Sequence, residues 1–192
     1  MSVSLADLRG EMERRGALLE GHFKLSSGRH SDRFVQKFRI LEDPRLVEVV
    51  AKGLAERLRR YDPTIVVSAA VGGIILGYEV ARQLGTKAIF VEKEHGVPTL
   101  RRGFVIRPDD RAIVVEDVIT TGQSVREVIE IVRSAGATVA AAGIIVRREP
   151  VDVGVPTVAL LDIPVASYDP AACPLCGRSL PLEEPGSRFL SK

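Results

Sequence analysis

The sequence predicts an α/β fold: a mostly parallel sheet flanked by helices, preceded by small antiparallel elements and followed by an irregular tail. Three observations carry that expectation. Short runs of Val, Ile and Ala alternate with longer amphipathic stretches. The short runs are apolar throughout, as strands covered on both faces must be. Prolines at 170, 174, 181 and 185 interrupt the end of the chain, where a long regular element would not survive them.

Leu5, Leu8 and Met12 recur at helical spacing in the charged segment 3–15 and predict a short amphipathic helix. Residues 17–40 are turn-rich around SSGRHS and fit small antiparallel strands, with 34–38 capable of forming one. Asp43 followed by Pro44 opens a helix, since proline at the first helical position gives up an N–H that lacks a partner there anyway; Val47, Val50, Leu54 and Leu58 supply its buried face. A strand at 64–68, a helix at 74–84 introduced by Gly72 and Gly73, and a strand at 87–91 follow. The charged, glycine-containing interval 92–103 reads as a mobile hairpin, with Phe104, Val105 and Ile106 beyond it. Next come strand 112–116, helix 124–135 stopped by Gly136, strand 138–146 and a further strand around 157–161. In such an order, ligands lie beyond the carboxyl ends of the strands.

A chain of 192 residues that is 45% hydrophobic is long enough for one well-filled core, and a single domain over 1–192 is expected. Its net charge of +2, from 27 basic and 25 acidic residues, gives no general attraction to nucleic acid or to a membrane surface. Without a long apolar run, or a basic segment leading into an apolar signal core, a cytoplasmic location is expected. Cys173 and Cys176 are the only cysteines, which fits a reducing compartment better than a disulfide framework.

The chemistry concentrates in VVEDVITTGQS, residues 114–124. A short apolar strand ends there in Glu116 and Asp117, and Thr120, Thr121, Gly122, Gln123 and Ser124 then lead into a helix whose apolar positions are Val125, Val128, Ile129 and Val132. Unpaired N–H groups in a loop entering a helix attract an anion, and hydroxyls add donors around phosphate oxygens. The carboxylates are badly placed against bare phosphate but suit ribose hydroxyls and a hydrated Mg²⁺. Ribose phosphate with metal is therefore the expected ligand. The glycine patterns of nucleoside triphosphate and dinucleotide sites are absent.

This stretch resembles the 5-phosphoribosyl-1-pyrophosphate (PRPP) signature of type I phosphoribosyltransferases. Within that group, FKLSSGRHS at 23–31 is similar to the N-terminal segment of orotate phosphoribosyltransferases, and the likeness extends over about residues 5–188. The resemblance implies a type I phosphoribosyltransferase-like sheet with an N-terminal hood and base-binding segment at 1–40, an active-site loop at 92–103 and an irregular tail at 170–192. It implies transfer of a ribosyl phosphate from PRPP to orotate, giving orotidine 5′-monophosphate and pyrophosphate for UMP synthesis. Mg²⁺ is the implied cofactor, and a homodimer, whose loop reaches the partner's site, is the implied assembly.

Other segments acquire roles by the same resemblance. Ala70, Val71, Gly72 and Gly73 match the pyrophosphate loop, although a lysine common in orotate enzymes is replaced by Gly72. Lys93, Arg101 and Arg102 would neutralise the departing pyrophosphate, the alternative being a solvated hairpin, and His95 would donate a hydrogen bond to phosphate or stabilise the leaving group, the alternative being a surface-loop histidine. Lys24, Ser26, Ser27 and Gly28 would meet the base, with Ser26 standing where a basic residue is usual and Lys24 on its side of an extended strand. Arg148 best matches the arginine that grips the orotate carboxylate, at the end of a strand carrying the adjacent pair Arg147 and Arg148.

Cys173 and Cys176 make half of a tetrahedral zinc site and would need two further ligands, from a second subunit or from His22, His30 or His95. No protein-held metal ligand is assigned, and the segment is read as a structural surface tail. Two competing functions stay open at this point: a phosphoribosyltransferase for a purine or another pyrimidine, and a nonenzymatic PRPP-sensing regulator.

Overall fold

The computed structural model describes residues 4–25 and 27–185. Ser26, one of the expected base contacts, and 186–192 of the expected tail lie outside the described residues.

After a single 3₁₀ turn, α1 (Leu8–Arg14) buries Leu8 and Met12, the spacing that predicts it. Strands β1 (Leu18–Lys24) and β2 (His30–Val35) form an antiparallel hairpin. The strand expected over 34–38 stops at Val35. Gln36 N–H still donates to Ala17 O, but Arg39 N–H then turns back onto Gln36 O, and α2 (Phe38–Leu41) begins. Asp43 caps α3 (Pro44–Leu58) by accepting from Arg45 N–H at 2.9 Å, and Pro44 takes the first turn.

The main sheet contains β3 (Ile65–Ala69), β4 (Lys87–Glu94), β5 (Val97–Leu100), β6 (Arg111–Ile119), β7 (Thr138–Arg147) and β8 (Thr157–Asp162), in the order β5-β4-β3-β6-β7-β8. All neighbours run parallel except β4 and β5. Helix α4 (Gly72–Leu84) connects β3 to β4, and α5 (Gln123–Ser134) connects β6 to β7. The side-chain period of two divides the core. Val66, Ile113, Val115 and Ile145 face α3 and α4, whereas Val67, Val114, Ala142 and Ile144 face the side packed by α5.

From β3 the chain moves to β4 on one side, and from β6 it moves to β7 on the other. Crossovers in opposite directions keep their right-handedness only by using opposite faces of the sheet. A crevice is therefore left between the carboxyl ends of β3 and β6.

Strand β6 does not end at 116 as expected. Long β7 keeps offering partners, with Glu116 opposite Ile144, Val118 opposite Val146 and Ile119 opposite Arg147, so both acidic residues lie inside the sheet. The tail also differs from a loose attachment. Tyr168 exchanges two backbone hydrogen bonds with His30, and Glu183 pairs with His22 and Lys24, so the tail lines both edges of the β1–β2 hairpin. A 3₁₀ turn at Pro170–Ala172 and the four-residue α6 (Pro174–Gly177) are its regular elements among the described residues. No helix among those residues is long and apolar enough to cross a membrane.

Candidate functional site

Glu116 and Asp117 sit at the crevice with exposures of only 8% and 1%. Asp117 is held by Lys37, whose Nζ lies 2.9 Å from Oδ2, and its Oδ1 accepts from Val118 N–H at 2.7 Å. Glu116 Oε1 accepts from Asp117 N–H at 3.1 Å. Burial, followed by the neighbouring Asp117 charge, pushes Glu116 up to about 8. Lys37 is the contact that sequence reasoning missed: a lysine 80 positions away, in a segment expected to be strand, carries no local signal of this pairing.

Beyond Ile119 the chain turns through Thr120 and Thr121 to Gly122, whose φ of 75° starts α5 from the left-handed region. A Cβ at Gly122 would come within 2.7 Å of Val151 Cγ1, so both conformation and space require glycine. Helix α5 has no side-chain cap. Its first residues, Gln123, Ser124 and Val125, line an open pocket of about 330 Å³ together with Glu116, Thr120, Thr121 and Gly122. Arg126 secures the loop from below, donating to Thr121 O and to Asp152 O. Hydroxyls, an uncapped helix start and no carboxylate within the loop itself make this a place for a phosphate.

Residues 70–73 lead from β3 into α4 across the same crevice, with Ala70 and Val71 exposed and a cis peptide between them. A Cβ on Gly72 would lie 2.0 Å from Asp117 Oδ2, and one on Gly73 3.5 Å from Glu116 Oε1. Asp117 therefore occupies the volume that a side chain at 72 would need. The amino end of α4 faces the acidic pair, where the partial positive charge of a helix start favours it. A second, narrower pocket joins Ala69 and Ala70 to Glu92, Lys93, Ser124 and Glu127.

The interval 92–103 folds as the antiparallel β4–β5 hairpin on the sheet edge. His95 and Gly96, at φ 49° and 83°, form the two-residue tip, with both φ values positive as the common tight hairpin turn requires. Lys93 reaches Glu127 on α5 at 3.0 Å. Arg102 makes a two-pronged contact with Glu92 at 2.9 and 3.1 Å, while Arg101 lies 3.2 Å from Glu94. Of the four predicted hairpin residues, only Lys93 lines either pocket; His95, Arg101 and Arg102 do not.

In the segment expected to meet the base, β1 ends at Lys24, and Lys24 Nζ pairs with Glu184 Oε1 at 2.8 Å. The expectation that Lys24 and Ser26 share one side of a strand falls on Ser26, which lies outside the described residues. Gly28 N–H closes a turn onto Leu25 O at 2.8 Å, and Ser27 is exposed beside it. Arg147 and Arg148 have different roles. Asp162 binds Arg147 with two contacts of 2.6 and 3.0 Å, whereas Arg148 Nε is buried without a hydrogen-bond partner, and burial pushes its guanidinium down from the usual arginine range. Arg148 N–H donates to Ile119 O at 3.0 Å, which fixes its backbone beside the 120–124 loop. Of the histidines considered for the cysteine pair, His22 and His30 meet it, and His95 remains at the hairpin tip.

Residues 38–152 match the phosphoribosyl transferase domain family. The orotate phosphoribosyltransferase of Thermotoga petrophila is 51% identical over 181 residues, covering 93% of this chain and 97% of that one. Its counterpart in Pelotomaculum thermopropionicum is 52% identical over 178 residues, covering 92% and 94%. Among solved structures, the orotate phosphoribosyltransferase of Aeropyrum pernix superposes with a TM-score of 0.70 at 30% identity, covering 81% of this chain and 93% of that one.

Proposed function

The chain belongs to the orotate phosphoribosyltransferases of the type I phosphoribosyltransferase family, and from that premise we propose how its residues divide the work. The reaction joins orotate to PRPP, giving orotidine 5′-monophosphate and releasing pyrophosphate. One observation carries the assignment of the site: the acidic pair, the hydroxyl-rich loop and the residue 70–73 loop converge on one crevice, with Asp117 packed against Gly72.

The loop at Thr120, Thr121, Gly122, Gln123 and Ser124 takes the 5′-phosphate, and Glu116 and Asp117 orient the ribose hydroxyls. Ala70, Val71, Gly72 and Gly73 take the pyrophosphate on backbone N–H groups. Lys93, one pair from the hairpin tip, adds a cation, exchanging its contact with Glu127 for the ligand. The hard oxygen donors of Glu116 and Asp117 fit Mg²⁺, although their burial and the Lys37 contact leave few oxygen edges for it, so the ion is carried chiefly by PRPP. Bound there, it supplies positive charge against the leaving pyrophosphate. Arg148, with its unpaired Nε, grips the orotate carboxylate, and the segment around Ser27 and Gly28 borders the ring. These groups align nitrogen and ribose carbon and screen charge; none needs to act as a base.

His95 at the hairpin tip, and Arg101 and Arg102 just beyond the end of β5, line neither of their own chain's two pockets, which supports a homodimer in which they complete the partner's site. Nothing in the charge balance favours nucleic acid, and a cytoplasmic location fits the composition.

A base panel tests the assignment. Purified protein with PRPP and Mg²⁺ should release pyrophosphate with orotate and not with uracil or purines. Arg148→Lys should raise the KM for orotate on the order of 10- to 100-fold, since a lysine cannot make the paired contact, while leaving the KM for PRPP nearly unchanged. An unchanged orotate KM in that variant would remove Arg148 from the base site.

A further inference from the structure

His22, His30, Cys173 and Cys176 come from four separate places: β1, β2, the end of a 3₁₀ turn and α6. Their ligand atoms nevertheless lie within 4.8 Å of one another, and three of the four residues are buried. His22 Nε2 is 3.0 Å from His30 Nδ1, 3.6 Å from Cys173 Sγ and 3.7 Å from Cys176 Sγ, and Cys176 Sγ is 3.3 Å from His30 Nδ1. A tetrahedron built on metal bonds of about 2.0–2.3 Å has edges of about 3.3–3.8 Å, which is close to this spacing.

The second ring nitrogen of His22 strengthens the case. Nδ1 lies 2.9 Å from the carbonyl oxygen of Leu180, which can only accept, so Nδ1 carries the proton and Nε2 carries the lone pair. One lone pair cannot serve three hydrogen-bond donors from three directions. Three polar atoms around it at 3.0–3.7 Å are instead what one vertex of a coordination tetrahedron sees.

We propose that these four residues bind one zinc ion, which fastens the tail to the N-terminal hairpin. Two thiolates and two imidazoles in tetrahedral array select zinc over hard cations, and binding sends the two thiol protons to solvent. The ligands also bracket the β1–β2 loop 25–29, since His22 lies on the strand before it and His30 follows it directly. The metal thus holds both ends of the segment placed at the base. That second consequence rests on the proposed function, whereas the metal site does not.

The test measures metal first and activity second. Full-length protein, purified under reducing conditions and dialysed, should carry about one zinc per chain by elemental analysis. After stripping by a chelator, Co²⁺ alone should restore a stoichiometric visible spectrum with tetrahedral d–d bands and thiolate charge transfer. Cys176→Ser, which alters the exposed ligand, and the Cys173→Ser/Cys176→Ser pair should lose zinc and the charge-transfer band. Chelation should lower the Tm of the wild type and leave that of the double variant unmoved. Folded wild type, checked by circular dichroism, that takes up neither metal would overturn the site, as would a double variant that binds them equally. Removal of zinc should raise the orotate KM on the order of 10-fold, with PRPP affected less. Zinc that binds and leaves that KM unchanged would overturn the loop-holding role, while inactivity with every base would count against the functional reading and leave the metal count standing.

Discussion

Glu116 and Asp117 adjoin on one strand, yet their surroundings differ. Lys37 neutralises Asp117, whereas burial and the Asp117 charge raise Glu116 to about 8, well above the ordinary carboxyl value of 4.5 that it regains on unfolding. Between these two pH values the folded state keeps a proton that the unfolded chain has released. Stability from this group is therefore complete below about 4.5 and lost as pH rises through about 8. Glu116→Gln, which is neutral throughout, should escape that loss. Its Tm minus that of the wild type should increase between about pH 5 and about pH 9, and a pH-independent difference would show that Glu116 titrates normally. The sequence announced both carboxylates but not this division, because their burial comes from the length of β7 and the compensating ammonium from residue 37. Likewise, adjacent Arg147 and Arg148 are equivalent on paper. Only the parallel pairing that sets Arg147 opposite Asp162 engages the first and leaves the second available.

At the scale of elements, the crevice depends on how closely α4 approaches β6. Gly72→Ala would put a methyl 2.0 Å from Asp117 Oδ2 and 3.1 Å from Leu41 Cδ1. Such overpacking costs about 1–3 kcal/mol. Because the displaced atom belongs to Asp117, PRPP affinity should fall together with stability, as read by ligand titration and chemical denaturation. An alanine variant with wild-type values for both would mean that the carboxylate is not confined there. The order of strands and helices was legible because apolar period and turn residues are local properties. The hairpin was also visible as a charged, glycine-bearing interval, but its tight His95-Gly96 tip and its docking on α5 through Lys93 and Glu127 need three-dimensional contacts. The tail was the least legible element: prolines correctly argued against a long helix, yet its role as edge partner to β1 and β2 depends on backbone bonds across some 140 to 160 residues.

For the whole molecule, the decisive question is whether one chain makes a complete site. The acidic pair and the 120–124 loop, proposed to hold ribose and phosphate, lie at the switch point of its own sheet, while Arg101 and Arg102 sit on an edge hairpin where Glu92 and Glu94 neutralise them. An edge hairpin with exposed arginines just beyond its outer strand is poorly used in a monomer and well used if a second copy presents an anionic ligand to it. The two halves of a site can then be damaged on different chains. Asp117→Asn should remove the ribose carboxylate and lower turnover on the order of 10²-fold, and Arg101→Ala/Arg102→Ala should impair pyrophosphate neutralisation while leaving the fold intact. If the hairpin serves the partner, mixing these inactive variants under conditions of subunit exchange restores one sound site in each hybrid dimer, with activity approaching about a quarter of the wild type. If each hairpin serves its own chain, every hybrid retains one doubly sound site and one doubly damaged site only when both changes sit on the same chain. Linking both changes on one chain and mixing it with wild type therefore supplies the control. Separate variants that regain nothing, despite hybrid formation seen by native mass spectrometry, would confine the hairpin to its own subunit.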